Sequence, residues 1–305
     1  MRVPAFPETY DLVALGLGCP ERLVSFEVTF QGMRIVTLLS DFGDHDHYVS
    51  EMKGTILGLY PSAVLVDITH EIEKFNIRMG AFMLATSVRY FPEETIHIAV
   101  VDPSVGGPRR SLLVESTHFI FLGPDNGILI PAASADGIKG VYSIENPEFM
   151  RHPVSPTFHG RDVFAYTAGK IAAGAQLQHV GLRVSDFVPA AFRRAVASTG
   201  RVACEVLRID SFGNTLTTAT ENDLKSAGMK VGDSVKMRVR GRVCGLRMAR
   251  TYSDSVEGKP VLLVGSHGFL EVALNRASAA KRYRMRVVDK LILTSVQGCR
   301  SRQDP

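Results

Sequence analysis

Short apolar runs alternate with helical patterns between residues 34 and 101. The runs at 34–39, 64–70 and 95–101 are rich in β-branched residues, which predicts buried strands. Apolar positions recur at helical spacing after the first run and again over 77–90, so a helix is expected between successive strands. The alternation predicts an N-terminal α/β domain with a mostly parallel central sheet.

The pattern changes after residue 110. SLLVES at 111–116 and HFIFLGPDNGILI at 118–130 predict an antiparallel pair, bent where Asn126-Gly127 supports a tight turn. VFAYTAGKIAAGA at 163–175 predicts a helix with Asp162 near its start, where a carboxylate can cap free amides. The periodicity breaks at 185–200, which we interpret as a linker.

Beyond residue 200 the chain contains short β-like runs separated by turns, which predict a smaller C-terminal all-β barrel domain. One short helix is expected at 221–227, and the runs lie at 201–210, 234–243, 259–265, 268–275 and 282–296. The predicted domains are therefore 33–188 and 200–296. Residues 1–32 have no clean period and are expected to be a disordered or mis-assigned N-terminal extension, with Met33 as the functional start.

Composition limits the class of protein without identifying its chemistry. The 305 residues are 45% hydrophobic and 22% charged, as in soluble globular proteins. A net charge of +4 with scattered basic residues gives no support for nucleic-acid binding, and no apolar stretch is long enough for a membrane span. Four cysteines without CxxC spacing favour reduced thiols in a cytoplasmic protein.

Polar side chains follow several of the predicted strands and should converge at one edge of the sheet, where such folds bind ligands. Asp102 follows the strand at 95–101, and the turn Pro103–Pro108 folds Arg109 back towards it. Asp41 and the loop that holds His159 belong to the same edge. Taken alone, Asp102 and Arg109 are more simply interpreted as a salt bridge that pins a turn.

Several other chemistries are weaker candidates. The carboxylates and imidazoles of the 41–47 loop could bind a metal, but such sites usually draw ligands from several elements. Asp41 alone could instead accept both hydrogens of a ribose diol. The chain has no GxGxxG, GxxxxGK[ST] or GxSxG motif, which argues against a phosphate-loop nucleotide site and a serine hydrolase. His70 and His97 are interpreted as structural histidines, and His267 as a loop residue.

Seven motifs occur in order along residues 33–295: SDFG with Tyr48 and EMKG, VDITH, DPxVG..RR, PDNG, TFHGRD, DxFGN and VGSHGFLEVALN. Together they resemble the S-adenosylmethionine (SAM) hydroxide adenosyltransferase family, whose relatives include the SAM-dependent fluorinase and chlorinase. The resemblance implies an α/β domain, a β-barrel, and a homotrimer with active sites between subunits. It also implies SAM as the substrate, with no metal and no separate cofactor.

The resemblance assigns water activation to Asp102, Arg109 and His159. Water would attack ribose C5′ in line with the sulfonium, so that SAM is hydrolysed to adenosine and L-methionine. Halide-using relatives have aromatic residues in place of the acid and the imidazole, whereas this chain keeps all three. The alternatives are a SAM-dependent halogenase, or a SAM- or adenosine-binding sensor with negligible turnover.

Eight further residues are implied to contact the substrate: Asp41 at the ribose diol, Asp210 at the methionine ammonium, Ser266 and Tyr48 at its carboxylate, Asn214 at the adenine edge, Phe212 at the apolar wall, and Asp46 and Phe75 in the pocket lining. Several of them are acidic, which suits a substrate with two cationic groups. Two positions depart from the family pattern. Ser104 replaces the usual glycine of the turn, and Leu274 stands where the fluorinase has an arginine.

Overall fold

Two β-sheets organise residues 34–296, the part of the chain that the computed structural model describes. The predicted N-terminal extension at 1–32 lies outside the described residues. The strands of the first sheet are β1 Ile35–Ser40, β2 Val64–Thr69, β3 Ile96–Val100, β4 Ser111–Ser116, β5 Ile120–Pro124 and β6 Ile138–Ser143. Their order is β2-β1-β3-β5-β4-β6, with β4 antiparallel to both neighbours and the other pairings parallel. This confirms the predicted mostly parallel α/β domain.

Helices cover both faces of this sheet: α1 Tyr48–Leu59, α2 Ile77–Ser87, α3 Ile130–Asp136 and α4 Tyr166–Ala172. The predicted helix at 77–90 ends in a 3-10 turn, Val88–Tyr90, and α4 is preceded by a π-helical segment, Gly160–Ala165. The expected cap by Asp162 is wrong, because its buried side chain accepts hydrogen bonds from Arg161 and from the backbone of Ser155. The sequence pattern also missed α3 and β6, which follow the turn after β5.

The second sheet consists of β7 Val196–Ser198, β8 Arg201–Ile209, β9 Thr215–Thr220, β10 Ser234–Val239, β11 Arg242–Met248, β12 Pro260–Val264, β13 Phe269–Leu274 and β14 Lys290–Ser295. Pairing of β14 with β8 closes seven of these strands into a barrel, as predicted, and β7 extends β8. Two predicted runs differ from the structure. The run at 234–243 is not one strand but part of a hairpin that turns at Arg240-Gly241, and of the run at 282–296 the part 282–289 is not a strand. Two short helices, α5 Glu221–Ser226 and α6 Ala279–Tyr283, accompany the barrel. No helix within residues 34–296 is long and apolar enough to cross a membrane.

Alternation along the strands divides the apolar side chains between separate cores. In β1, Leu38 packs in the core beside α1 and α4, whereas Leu39 belongs to the core beside α2 and α3. In β10, Val235 and Met237 point into the barrel while Lys236 is exposed, which is the half-buried pattern of a barrel strand. The first sheet is therefore buried on both faces, and polar groups lie at the ends of its strands.

Helix α2 contacts both the first sheet and the barrel. Phe82 lies edge-on to Phe269 of β13, with ring centroids 5.2 Å apart. Arg78 Nη2 donates to Glu205 Oε2 of β8 at 2.9 Å, and both side chains are largely buried. Asn76 caps the helix, its side chain accepting from the amide of Met79. One helix thus fixes how the barrel is docked on the α/β domain.

Candidate active site

Two of the predicted acids emerge side by side at the carboxyl edge of the first sheet. Strands β1 and β3 are parallel neighbours with Ser40 opposite Val100, so Asp41 and Asp102 follow adjacent strand ends. Asp41 is buried, and the side chain of Asp102 is only 5% exposed. The convergence that the sequence predicted is confirmed for this pair.

Arg109 joins Asp102 to His159. Its Nε donates to Asp102 Oδ1 at 3.1 Å, and its Nη2 donates to Asp102 Oδ2. The same Nη2 lies 2.9 Å from His159 Nδ1. Ser111 Oγ accepts from Nη1 at 3.0 Å, and the guanidinium stacks over Phe164 at 5.8 Å. The structure therefore assembles the three predicted catalytic side chains into one hydrogen-bonded group.

The contact with Arg109 determines the tautomer of His159. A guanidinium only donates hydrogen bonds, so Nδ1 of the imidazole must accept, and the single proton of the neutral ring lies on Nε2. Burial lowers the pKa of His159 below its ordinary value of 6.5, and the Arg109 cation lowers it further, against the opposing effect of Asp102. His159 is therefore a neutral hydrogen-bond donor at Nε2 at physiological pH.

A π-helical segment begins directly after His159, and such segments recur at functional sites. Within it Asp162 is fully buried and accepts from Arg161 Nε at 2.7 Å. Arg161 Nη1 also donates to Glu51 of α1 at 2.6 Å. Burial alone would raise the pKa of Asp162, but the hydrogen bonds from Arg161 and the Ser155 amide, together with the charges of Arg161 and Arg151, lower it. This ion pair ties the segment that carries His159 to α1.

The turn that carries Arg109 packs directly against the loop that carries His159. Gly106 has a left-handed φ of +75°, and a Cβ at this position would lie 2.3 Å from the carbonyl oxygen of Pro156. Only glycine permits this approach without displacing one of the two backbones. The spacing between Arg109 and His159 therefore depends on a residue that makes no polar contact with either.

Asp41, the predicted ribose contact, is held in place by the next loop. Its Oδ2 accepts from the amide of Phe75 at 2.9 Å, and its carbonyl accepts from Lys74 Nζ at 2.5 Å. Below it, Ser40 Oγ lies 2.8 Å from His70 Nδ1, which agrees with a structural role for this buried histidine. One oxygen of Asp41 remains available to a ligand.

Aromatic side chains surround these polar groups. Tyr48 lies edge-on to Phe158 at 5.2 Å and is tilted against Phe42 at 5.7 Å. Phe75 is 69% exposed with a φ of +65°, a strained conformation for an aromatic residue. Asp46 is an exposed loop residue. Phe42 and Phe158 were missed from the sequence, although each adjoins a residue that was predicted.

The other predicted contacts gather on the barrel. Asp210 Oδ1 accepts from the amides of Phe212 and Asn214 at 3.0 and 2.8 Å, and Asp210 Oδ2 accepts from Asn214 Nδ2 at 3.0 Å. Phe212 is 79% exposed. A cavity of about 580 Å³ opens here, lined by Asp210, Phe212, Asn214, Tyr252, Leu274, Arg276, Ala277 and Ser278. Ser266 is exposed on the loop before β13.

The two groups of predicted contacts lie at opposite ends of α2. Phe75 and Asp41 meet at its start, whereas Arg89, just past its end, donates to the Ser266 carbonyl at 3.2 Å. A helical rise of 1.5 Å per residue places Phe75 and Arg89 about 20 Å apart. Within one chain the structure therefore does not bring Ser266 to the triad.

The 41–47 loop, which was a weaker candidate for a metal site, is largely exposed. Within residues 34–296 no three His, Cys, Asp or Glu side chains come close enough to hold a metal ion.

Known proteins resemble this chain over most of its length. Models of the SAM hydroxide adenosyltransferase N-terminal and C-terminal domains match residues 36–181 and 204–292. An (R)-S-adenosyl-L-methionine hydrolase of Salinispora arenicola is 35% identical over 266 residues, which cover 85% of this chain and 97% of that protein. A fluorinase of Actinopolyspora mzabensis is 28% identical over 283 residues, which cover 83% of this chain and 94% of that protein. A solved structure of an uncharacterized conserved protein from Thermotoga maritima matches with a TM-score of 0.79 at 32% identity, covering 85% and 99%.

The substitution Gly106→Ala should separate Arg109 from His159. We expect a loss of about 1–3 kcal/mol in the free energy of unfolding, because alanine is strained at positive φ and its methyl meets the Pro156 carbonyl. The pKa of His159, followed by NMR, should rise towards 6.5 as the cation recedes. Gly54→Ala is the control, since a Cβ there meets nothing within 4 Å. An unchanged pKa in a destabilised Gly106 variant would contradict this account.

Proposed function

The chain belongs to the SAM hydroxide adenosyltransferase family, and from that premise we infer that it is a hydrolase that converts SAM to adenosine and L-methionine. The observation that carries this inference is the contact of Asp102 and His159 with Arg109 at an open sheet edge. The site offers one hydrogen-bond acceptor and one donor with a fixed tautomer. That is what a single water molecule needs in order to be held in one orientation.

The proposed reaction is an in-line displacement at ribose C5′. Water donates a hydrogen bond to Asp102 and accepts one from Nε2 of His159, so that its remaining lone pair points at C5′. The new C5′–O bond forms as the C5′–S bond breaks, and the electron pair of that bond returns to sulfur as methionine leaves. The water proton passes through the Asp102 carboxylate to solvent. No metal or cofactor takes part in this proposal, because the sulfonium is already an activated leaving group.

Positioning should contribute more than proton removal. Both oxygens of Asp102 already accept hydrogen bonds from Arg109, so the carboxylate serves mainly to orient the water. Arg109 is itself fixed by Ser111 and by stacking on Phe164. Holding reactants in attack geometry can lower a barrier by roughly 7–11 kcal/mol at best.

We further propose that the remaining predicted residues bind SAM. Asp41 takes the ribose diol, with Tyr48, Phe75 and Asp46 lining that side. This is supported by the free oxygen of Asp41 beside exposed aromatic rings. On the barrel, the proposed contacts with adenine and methionine are Asp210, Phe212, Asn214 and Ser266.

The proposed assembly is a homotrimer in which two chains form each site. The separation along α2 supports it, because the methionine carboxylate of SAM is only a few covalent bonds from C5′. One chain cannot then present Asp102 and Ser266 to the same molecule. A second copy that docks head to tail could, and a ring of three closes such an interface.

We also propose a cytoplasmic location and no nucleic-acid partner. The cytoplasmic location rests on the free thiols of Cys204, which is buried, and Cys244. The second rests on the mild net charge of +4 with scattered basic residues.

The proposed function is tested by incubating the purified protein with each sulfonium epimer of SAM in water enriched in ¹⁸O. We expect adenosine labelled at its 5′ oxygen, formed at the same rate with and without chloride. The related hydrolase is named for the (R) epimer, and we expect the same preference here. Asp102→Asn should bind SAM but turn it over much more slowly.

Two other outcomes would indicate a different function. A 5′-chloro nucleoside that appears only with chloride would indicate a halogenase. Tight binding of SAM without adenosine over hours would indicate a sensor. Near-normal turnover by Asp102→Asn would overturn the role given to the triad.

The pH dependence of kcat/KM should report His159. The active form is the neutral ring, and because its pKa is lowered, the acid limb of the profile should be centred below pH 6.5. Protonation would place a hydrogen on Nδ1 against the Arg109 guanidinium. The residual activity of His159→Asn should lack this acid limb. An acid limb centred above pH 6.5 would contradict the assigned environment of His159.

Complementation tests the shared site. Asp102→Asn disables the triad, and Phe212→Ala removes an exposed ring of the barrel cavity. Each variant alone should be impaired. Co-expressed at equal levels in mixed rings, they should restore about one quarter of the sites, because one site in four then draws both halves from unmutated domains. Activity no greater than the mean of the two variants would place each site within a single chain.

A further inference from the structure

Two arginines, Arg89 and Arg208, act on the tight turn Gly265–Gly268, which carries Ser266 and His267. Arg89 Nη2 donates to the Ser266 carbonyl at 3.2 Å, and Arg89 stacks over Tyr90 at 5.0 Å. Burial lowers the pKa of His267, and the cations of Arg89 and Arg208 lower it further. Both arginines are therefore within electrostatic range of His267.

This positive charge has no anionic partner among residues 34–296. Within these residues the structure shows no ion pair for Arg89 or Arg208, and the guanidinium of Arg208 donates a hydrogen bond to Met83 Sδ at 3.5 Å. Glu205, on the same strand as Arg208, is already paired with Arg78 at 2.9 Å. Guanidinium groups without a carboxylate between them repel one another, so an anion bound near them would relieve that repulsion.

The other side of the same turn is acidic. A Cβ at Gly265 would lie 2.9 Å from Glu271 Oε2, and Glu271 Oε1 accepts from the Tyr252 hydroxyl at 2.8 Å. Burial raises the pKa of Glu271, and the charge of Asp210 raises it further, against the Tyr252 hydrogen bond. Glu271 is therefore linked to Tyr252 and Asp210, two residues that line the barrel cavity.

Positive and negative groups on either side of one turn match the charges of an α-amino acid, whose ammonium and carboxylate share one carbon. We propose that Arg89, supported by Arg208 and His267, recognises the α-carboxylate of the methionine part of SAM, while Asp210 and Glu271 face its ammonium. This rests on the proposed function. It makes Arg89, a residue of the α/β domain, the determinant of specificity for SAM over adenosyl sulfonium compounds that lack a carboxylate.

The test compares SAM with decarboxylated SAM, which keeps the sulfonium, the amine and the nucleoside but has no carboxylate. Arg89→Gln should weaken binding of SAM and lower its kcat/KM on the order of tenfold or more, as expected for the loss of a hydrogen bond to a charged group. Binding and turnover of decarboxylated SAM should hardly change. The affinity and kcat/KM of Arg89→Lys for SAM should lie between those of the unmutated protein and Arg89→Gln, because lysine keeps the charge but cannot bind a carboxylate through two parallel hydrogen bonds.

Arg247→Gln is the matched control, because Arg247 is an exposed arginine on β11 outside the proposed site. It should leave both compounds unaffected. An equal loss for both compounds with Arg89→Gln, or a change in its assembly state by light scattering, would show that Arg89 acts through the fold or an interface. An unchanged affinity for SAM would also overturn the proposal.

Calorimetric dissociation constants separate this proposal from the proposed function. If the unmutated protein binds SAM but yields no adenosine, hydrolysis fails as the function. The ratio of affinities for SAM and decarboxylated SAM still decides the role of Arg89. If that ratio is close to one in the unmutated protein, carboxylate recognition fails even where hydrolysis is observed.

Discussion

The packing of α2 between the first sheet and the barrel is the constraint on which the rest of the structure depends. Phe82 against Phe269 and Arg78 against Glu205 fix the barrel along this helix. The start of the helix therefore stays beside Asp41, and its end stays beside Ser266. A helix of fixed rise cannot shorten that distance, so the two groups of proposed substrate contacts stay apart within one chain. This separation is the observation that supports the proposed active site shared between subunits.

Arg109 imposes a comparable constraint on the chemistry. Because a guanidinium can only donate, its contacts make Asp102 and Nδ1 of His159 acceptors, and the donor of the site must be Nε2 of His159. The same cation helps to keep the imidazole neutral. A site built this way orients a neutral nucleophile such as water through one donor and one acceptor. A halide carries no proton for Asp102 to accept, and its charge would be repelled by that carboxylate.

Much of this arrangement could be predicted from local sequence. β-Branched runs indicated β1 and β3, so the sequence alone placed Asp41 and Asp102 at one edge of the sheet, where the structure has them. The close approach of Gly106 to Pro156 could not, because the two segments are far apart in sequence and only tertiary packing brings them together. The prediction that Asp162 caps a helix was wrong for a related reason. An acid near a helix start commonly caps the free amides of the helix. Here the buried carboxylate instead accepts hydrogen bonds from Arg161 and from the amide of Ser155.

Arg89 was overlooked because its sequence context is ordinary. An arginine after a helix is usually solvated, and only the barrel loop that folds against it gives it a distinctive neighbourhood. The sequence did indicate an acid-rich site suited to a sulfonium and an ammonium. Such a site repels the one anionic group of the same substrate, so a counter-charge has to come from an element outside the acidic clusters. Arg89, in the 3-10 turn that follows α2, belongs to the α/β domain and reaches the barrel loop, so it is placed to supply the proposed counter-charge.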